Sequence, residues 1–189
     1  MADAAQRLMT LAEFLEWDDG TDTRYELVYG QPVAMAPPLE AHGAIAANLV
    51  GAIQRRLRSP CRVATEIGLK RPDWDDHFYQ ADVAVTCDPP VAGARSMPNP
   101  IAIFEVLSPS TTARDLEIKL PDYQEMPSVQ HIVVVSARQR RVEHWRRDGQ
   151  QWIAQAIVGD GTIEMASLGI SVPLSEIYAD VALLQRDAA

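Results

Sequence analysis

Four charged side chains interrupt stretches that are otherwise apolar: Glu26, Asp82, Glu105 and Lys119. Glu105 follows the run Ile101-Ala102-Ile103-Phe104 and precedes Val106-Leu107, and Asp82 stands near the start of Ala81 to Thr86. A carboxylate at the end of a buried strand loses hydration worth several kcal/mol unless a lysine, an arginine or a metal ion compensates. If the two strands are neighbours, Asp82 and Glu105 converge. Two such carboxylates can hold magnesium, with water and phosphate oxygens completing the octahedron. A lysine beside them would orient the attacking water, while the metal neutralises phosphate charge and lowers the water's pKa. Lys119 is the candidate, and Asp115, one turn before it, shares its helix face.

The elements that must position these groups follow from local pattern. Thr10-Leu11-Ala12-Glu13 has the form of a capping box and opens a short helix. Arg24 to Met35 predicts a hairpin that carries Glu26, with its turn at Gly30-Gln31-Pro32. Ala41 to Leu57 is alanine-rich and repeats Ile45, Leu49, Ala52, Ile53 and Leu57 at helical spacing, with His42 in its first turn. Arg62 to Leu69, Ala81 to Thr86, Ile101 to Leu107 and His131 to Ser136 predict strands. The aspartate-rich stretch Arg71 to Phe78 predicts a flexible loop, and Asp88 to Pro100 a second loop. Thr111 to about Gln124 predicts a helix capped by Ser110 or Thr111 and kinked or ended by Pro121. Val142 to Arg146 pairs with Trp152 to Val158 around Asp148-Gly149, Thr162 to Ala166 continues that pairing, and Leu174 to Tyr178 is a last short helix. This order predicts an α+β fold, a mixed sheet flanked by helices.

The 189 residues suit one domain, expected over 10–184, with a poorly ordered N-terminus at 1–9 and a tail at 185–189. The apolar runs are too short to span a bilayer, which takes about 20 residues, and Met1 to Arg7 has no apolar signal core. A cytoplasmic protein is expected, with Cys61 and Cys87 as two reduced, mostly buried thiols. The formal charge of −9 argues against tight nonspecific nucleic-acid binding, which depends on neutralising phosphates. Two basic clusters, Arg55, Arg56 and Arg58 and then Arg138, Arg140, Arg141, Arg146 and Arg147, leave local binding open.

Taken together, Tyr25-Glu26-Leu27 with Gly30, His42 opening a helix, Ala81-Asp82-Val83, and Phe104-Glu105-Val106-Leu107-Ser108-Pro109-Ser110-Thr111 with Asp115, Lys119 and Tyr123 resemble the Uma-type restriction endonuclease-like family of the PD-(D/E)XK nuclease superfamily. The resemblance runs from about Thr10 to Leu183 and is most specific in the Glu-Val-Leu-Ser-Pro-Ser-Thr block. It implies a restriction endonuclease-like core and hydrolysis of DNA phosphodiesters dependent on Mg²⁺ or Mn²⁺. It also implies Asp82 and Glu105 as metal-binding catalytic acids, Glu26 as an accessory carboxylate and His42 as a residue lining the site. The superfamily's lysine normally lies two residues beyond the glutamate, where this chain has Leu107; Lys119 is then its migrated equivalent. A homodimer presenting two sites to duplex DNA is an expectation by analogy of fold. Two other readings stay open: a non-catalytic binding or assembly module that keeps the fold, and a hydrolase of a small phosphorylated ligand.

Overall fold

The apolar run after Ile101 forms a strand buried from Ala102 to Val106. Apolar residues at both alternating positions demand cover on both faces, and the fold supplies it. The computed structural model describes residues 7–71, 73–107 and 113–183. In chain order the elements are α1 (Leu11–Glu16), β1 (Tyr25–Val28), β2 (Gln31–Ala34), α2 (Glu40–Gln54), β3 (Arg62–Leu69), β4 (Tyr79–Thr86), β5 (Ala102–Leu107) and α3 (Ala113–Glu125). Then come β6 (His131–Ser136), β7 (Arg141–Asp148), β8 (Gln151–Val158), β9 (Thr162–Met165), β10 (Ile170–Pro173) and α4 (Leu174–Ile177). Strands β3 to β8 form one six-stranded sheet in sequence order. Its neighbours are antiparallel except β5 and β6, which run parallel with Phe104 beside Val133. Helix α3 makes the crossover that a parallel pair requires. The chain is thus α+β, a mixed sheet flanked by helices.

One face of the sheet packs Val83, Val85, Phe104 and Val106 against Ile45, Leu49 and Ile53 of α2 and against β10 and α4. The other packs Ala81, Ile103 and Ile132 against Tyr123 and Met126 at the end of α3. The helical spacing in α2 is thereby explained, since Ile45, Leu49, Ala52 and Ile53 are fully buried. The capping box holds: Thr10 accepts from the Glu13 backbone and Glu13 accepts from the Thr10 backbone. A buried polar link ties β6 to β7 and to the turn after β9. His131 Nδ1 lies 2.9 Å from His144 Nε2, and His131 Nε2 lies 2.8 Å from Ser167 Oγ.

Four expectations are corrected. The hairpin turns at Tyr29-Gly30, not at Gly30-Gln31-Pro32, because both residues take left-handed backbone (φ 49° and 75°) and so form the two-residue turn whose twist matches the strands. Helix α3, expected to run to about Gln124, ends at Glu125 with Pro121 inside it. Thr162 to Met165 does not continue the β7–β8 hairpin; it pairs with β10 in a separate two-stranded sheet. Cys61 and Cys87 are joined in a disulfide, not free: β3 and β4 pair Arg62 with Thr86, and one step further along that ladder the two thiols face each other. The aspartate-rich loop is tied down, with Asp75 and Asp76 carbonyls accepting from Leu11 and Gly30. The predicted cap at Ser110 or Thr111 lies outside the described residues.

Candidate active site

Register brings the two predicted acids together. Strands β4 and β5 pair Val83 with Phe104 and Ala84 with Ile103. Asp82 and Glu105 are the next residues on the two strands beyond Val83 and Phe104. The backbone ladder stops at this point. The Val106 N–H donates instead to Asp82 Oδ2 at 2.6 Å. The alternation of β4 also breaks here. Tyr79 and Ala81 face the α3 side, whereas Val83 and Val85 face the α2 side. Beside this break in β3, Glu66 takes a left-handed backbone (φ 46°). A change of strand parity is how a sheet re-aims a side chain, and here it sets Asp82 between groups from both helices.

From the α2 side, His42 Nε2 lies 3.1 Å from Asp82 Oδ1. That hydrogen bond raises the His42 pKa above the usual imidazole value, against the opposing effect of burial. From the α3 side, Tyr123 Oη donates to Glu105 Oε1 at 2.6 Å. Lys119, one helical turn earlier on the same face, places Nζ 2.6 Å from Glu26 Oε1. The same oxygen accepts from the Gln80 N–H at 2.7 Å. Burial pushes the Glu105 carboxyl up to about 8; Lys119 pulls it down, and Asp82 and Glu26 add to the rise. For Lys119 burial acts to lower the pKa, but the carboxylates of Glu105, Glu26 and Asp82 outweigh it and hold the ammonium protonated.

Glu26, His42, Asp82, Glu105 and Lys119 all line one cleft of about 190 Å³. Five of the six predicted site residues are thus brought together, from β1, α2, β4, β5 and α3. The sixth, Asp115, has its side chain outside the described residues, so its expected pairing with Lys119 does too. Lys119 pairs with Glu26 instead of serving as a surface helix residue. The sequence reading gave no role to the polar groups behind the cleft. Tyr79, whose hydroxyl donates to Asp122, packs its ring edge-on against Tyr123 at 5.7 Å. His77 is buried beside them with Nε2 3.8 Å from Asp122 Oδ2. The available signal was helical spacing, since Lys119 and Tyr123 stand four apart on one face.

The residues present fit a divalent cation of the magnesium type. Asp82 and Glu105 are hard oxygen donors, and magnesium is commonly held by one or two carboxylates with water completing its shell. Burial lifts the Glu105 carboxyl to about 8, and a cation beside it would favour the ionised form. Among the described residues no group of three His, Cys, Asp or Glu side chains is placed to hold a metal ion. Four of the eight arginines in the basic clusters, by contrast, are occupied in internal contacts. Arg55 and Arg56 both bind Glu176, Arg141 binds Glu143, and Arg147 donates to the carbonyls of Gln124, Met126 and Val129. No helix among the described residues is long and apolar enough to cross a membrane.

The fold recurs in a crystal structure described as a "putative nuclease belonging to DUF820" from Anabaena variabilis, with a TM-score of 0.73 at 18% identity, covering 90% of this chain and 98% of that one. Two uncharacterized proteins of Synechocystis sp. are similar in sequence. One, slr1290, is 28% identical over 90% of this chain and 91% of its own length. The other, sll1609, is 25% identical over 85% and 93% respectively. The Uma2 model, described as "Putative restriction endonuclease", matches residues 11–185, so the cleft and every strand that shapes it lie inside the match, and the chain belongs to that family.

Proposed function

We propose that the chain hydrolyses DNA phosphodiester bonds at this cleft, with Mg²⁺ or Mn²⁺ held by Asp82 and Glu105. The observation that carries the reading is the meeting of Asp82, Glu105 and Lys119 in one cleft of a nuclease-like fold. The cation would neutralise phosphate charge and make a bound water more acidic. Lys119 remains protonated, so it acts as a donor and not as a base: its Nζ holds the attacking water or a phosphate oxygen and offsets charge that grows in the transition state. Glu26 holds the lysine in place. His42 fixes one oxygen of Asp82 and the Val106 N–H fixes the other, which limits the rotamers open to that carboxylate. Tyr123 does the same for Glu105.

The test is nicking of supercoiled DNA with Mg²⁺ or Mn²⁺ against a chelated control. Activity that depends on the cation and falls at least about a hundredfold in Lys119→Ala supports the reading; activity undiminished in that variant excludes the role given to the lysine. A non-catalytic module on the same fold is favoured by one observation: both oxygens of Asp82 and the Lys119 ammonium already have protein partners. Thermal shifts with Mn²⁺ that are equal for the native protein and Glu105→Gln would support that second reading.

A further inference from the structure

The cleft has two unlike walls. One carries Glu26, Asp82, Glu105 and Lys119. The other is apolar and comes from β2 and the segment after it: Val33, Ala34, Met35, Ala36 and Pro38. Val33 is 43% exposed and Leu39, next to this wall, 44%, so water reaches apolar surface directly beside buried carboxylates. A ligand that satisfies both walls is itself two-sided, with a phosphodiester for the charged floor and a flat apolar face for the other wall. A nucleotide whose base is unpaired has that character. In a duplex the base faces are stacked and hidden.

Size and charge point the same way. The volume of about 190 Å³ lies below the roughly 300–1,000 Å³ of sites that enclose drug-sized ligands. Glu105 and Glu26 are only 6% and 7% exposed, so a phosphate reaches them only by entering the cleft. Duplex binding otherwise rests on arginine and lysine spread along the phosphate backbone. Here Arg24 at the cleft is gripped by Glu66 at 2.7 and 3.2 Å, and four of the eight clustered arginines elsewhere are held by Glu176, Glu143 and backbone carbonyls.

We infer that the cleft takes single-stranded DNA, or the unpaired part of a longer molecule, one nucleotide at a time, with the base laid against Val33, Met35 and Pro38. This rests on the phosphodiester chemistry proposed above. It assigns the β1–β2 hairpin the work of selecting unpaired nucleotides.

The test is fluorescence anisotropy of the native protein, with Ca²⁺ in place of Mg²⁺ to slow cleavage, using a labelled short oligonucleotide alone and annealed to its complement. The single strand is expected to bind at least about tenfold more tightly. Val33→Asn with Met35→Gln, both at exposed or half-exposed positions, is expected to weaken single-strand binding about tenfold with an unchanged melting temperature, and Val33→Ile with Met35→Leu to restore it. Equal binding of duplex and single strand overturns the inference, as does a wall variant that binds like its parent. The hydrolysis reading is judged separately on bis(p-nitrophenyl) phosphate with the native protein. Cleavage of that ester with no preference for single strands sinks only the inference. Single-strand preference with no cleavage of any substrate supports the inference and sinks hydrolysis.

Discussion

Lys119 Nζ lies 2.6 Å from Glu26 Oε1, and both side chains are buried, at 12% and 9% exposure. The two residues are 93 positions apart in the chain and are joined through the folded cleft alone. Removing one member of a buried ion pair leaves the other desolvated without a partner and costs about 3–5 kcal/mol. Lys119→Ala is therefore expected to lower stability by about 3 kcal/mol as well as activity. Lys119→Met combined with Glu26→Gln should recover most of the stability and none of the activity. Urea unfolding beside nicking assays separates the two effects, and recovered activity in the double variant would remove the lysine from the chemistry.

Glu105 should trade stability for function. Its carboxyl is lifted to about 8 by burial, so the ionised form strains the fold. Glu105→Gln keeps the acceptor for Tyr123 and removes the charge. The variant is expected to melt at or above the native temperature while activity drops at least about a hundredfold. A melting temperature several degrees lower would contradict the assignment of strain.

The buried histidine pair sets an acid limit. Burial pushes His131 and His144 down to about 4, with the Arg146 charge adding to the effect. In the unfolded chain an imidazole titrates near 6.5. Between these values the unfolded chain binds more protons, so stability is complete above about pH 6.5 and is lost as pH falls through 4. The loss is on the order of 3 kcal/mol for each histidine. Urea midpoints at pH 7 and pH 4 measure it, and His131→Asn with His144→Gln should flatten the difference. An unchanged slope in that variant would assign the acid sensitivity to the carboxylates.

The Cys61–Cys87 disulfide closes a loop across 26 positions between the ends of β3 and β4. On the loop-entropy account such a link contributes about 3 kcal/mol. Cys61→Ser with Cys87→Ser is expected to lower stability by that amount and to leave the cleft geometry intact. Thiol titration of the native protein under denaturing, non-reducing conditions should find no free thiol; two free thiols would contradict the pairing.

Local pattern alone determined a good part of this protein. β3 and β6 span the predicted Arg62–Leu69 and His131–Ser136, and the Thr10–Glu13 capping box is where its spacing put it. Those features depend on neighbours within a few residues, through strand alternation and reciprocal capping bonds. The four charged residues in apolar surroundings were likewise legible, because a buried charge needs a partner wherever the chain puts it.

Only the tertiary structure decided which partner. It brought Asp82 and Glu105 into one cleft, gave Lys119 to Glu26, brought Cys61 onto Cys87 and turned β9 away from β8 toward β10. Each of these contacts joins segments that are brought together by the packing of the folded chain. No residue carries that information by its type or its immediate neighbours.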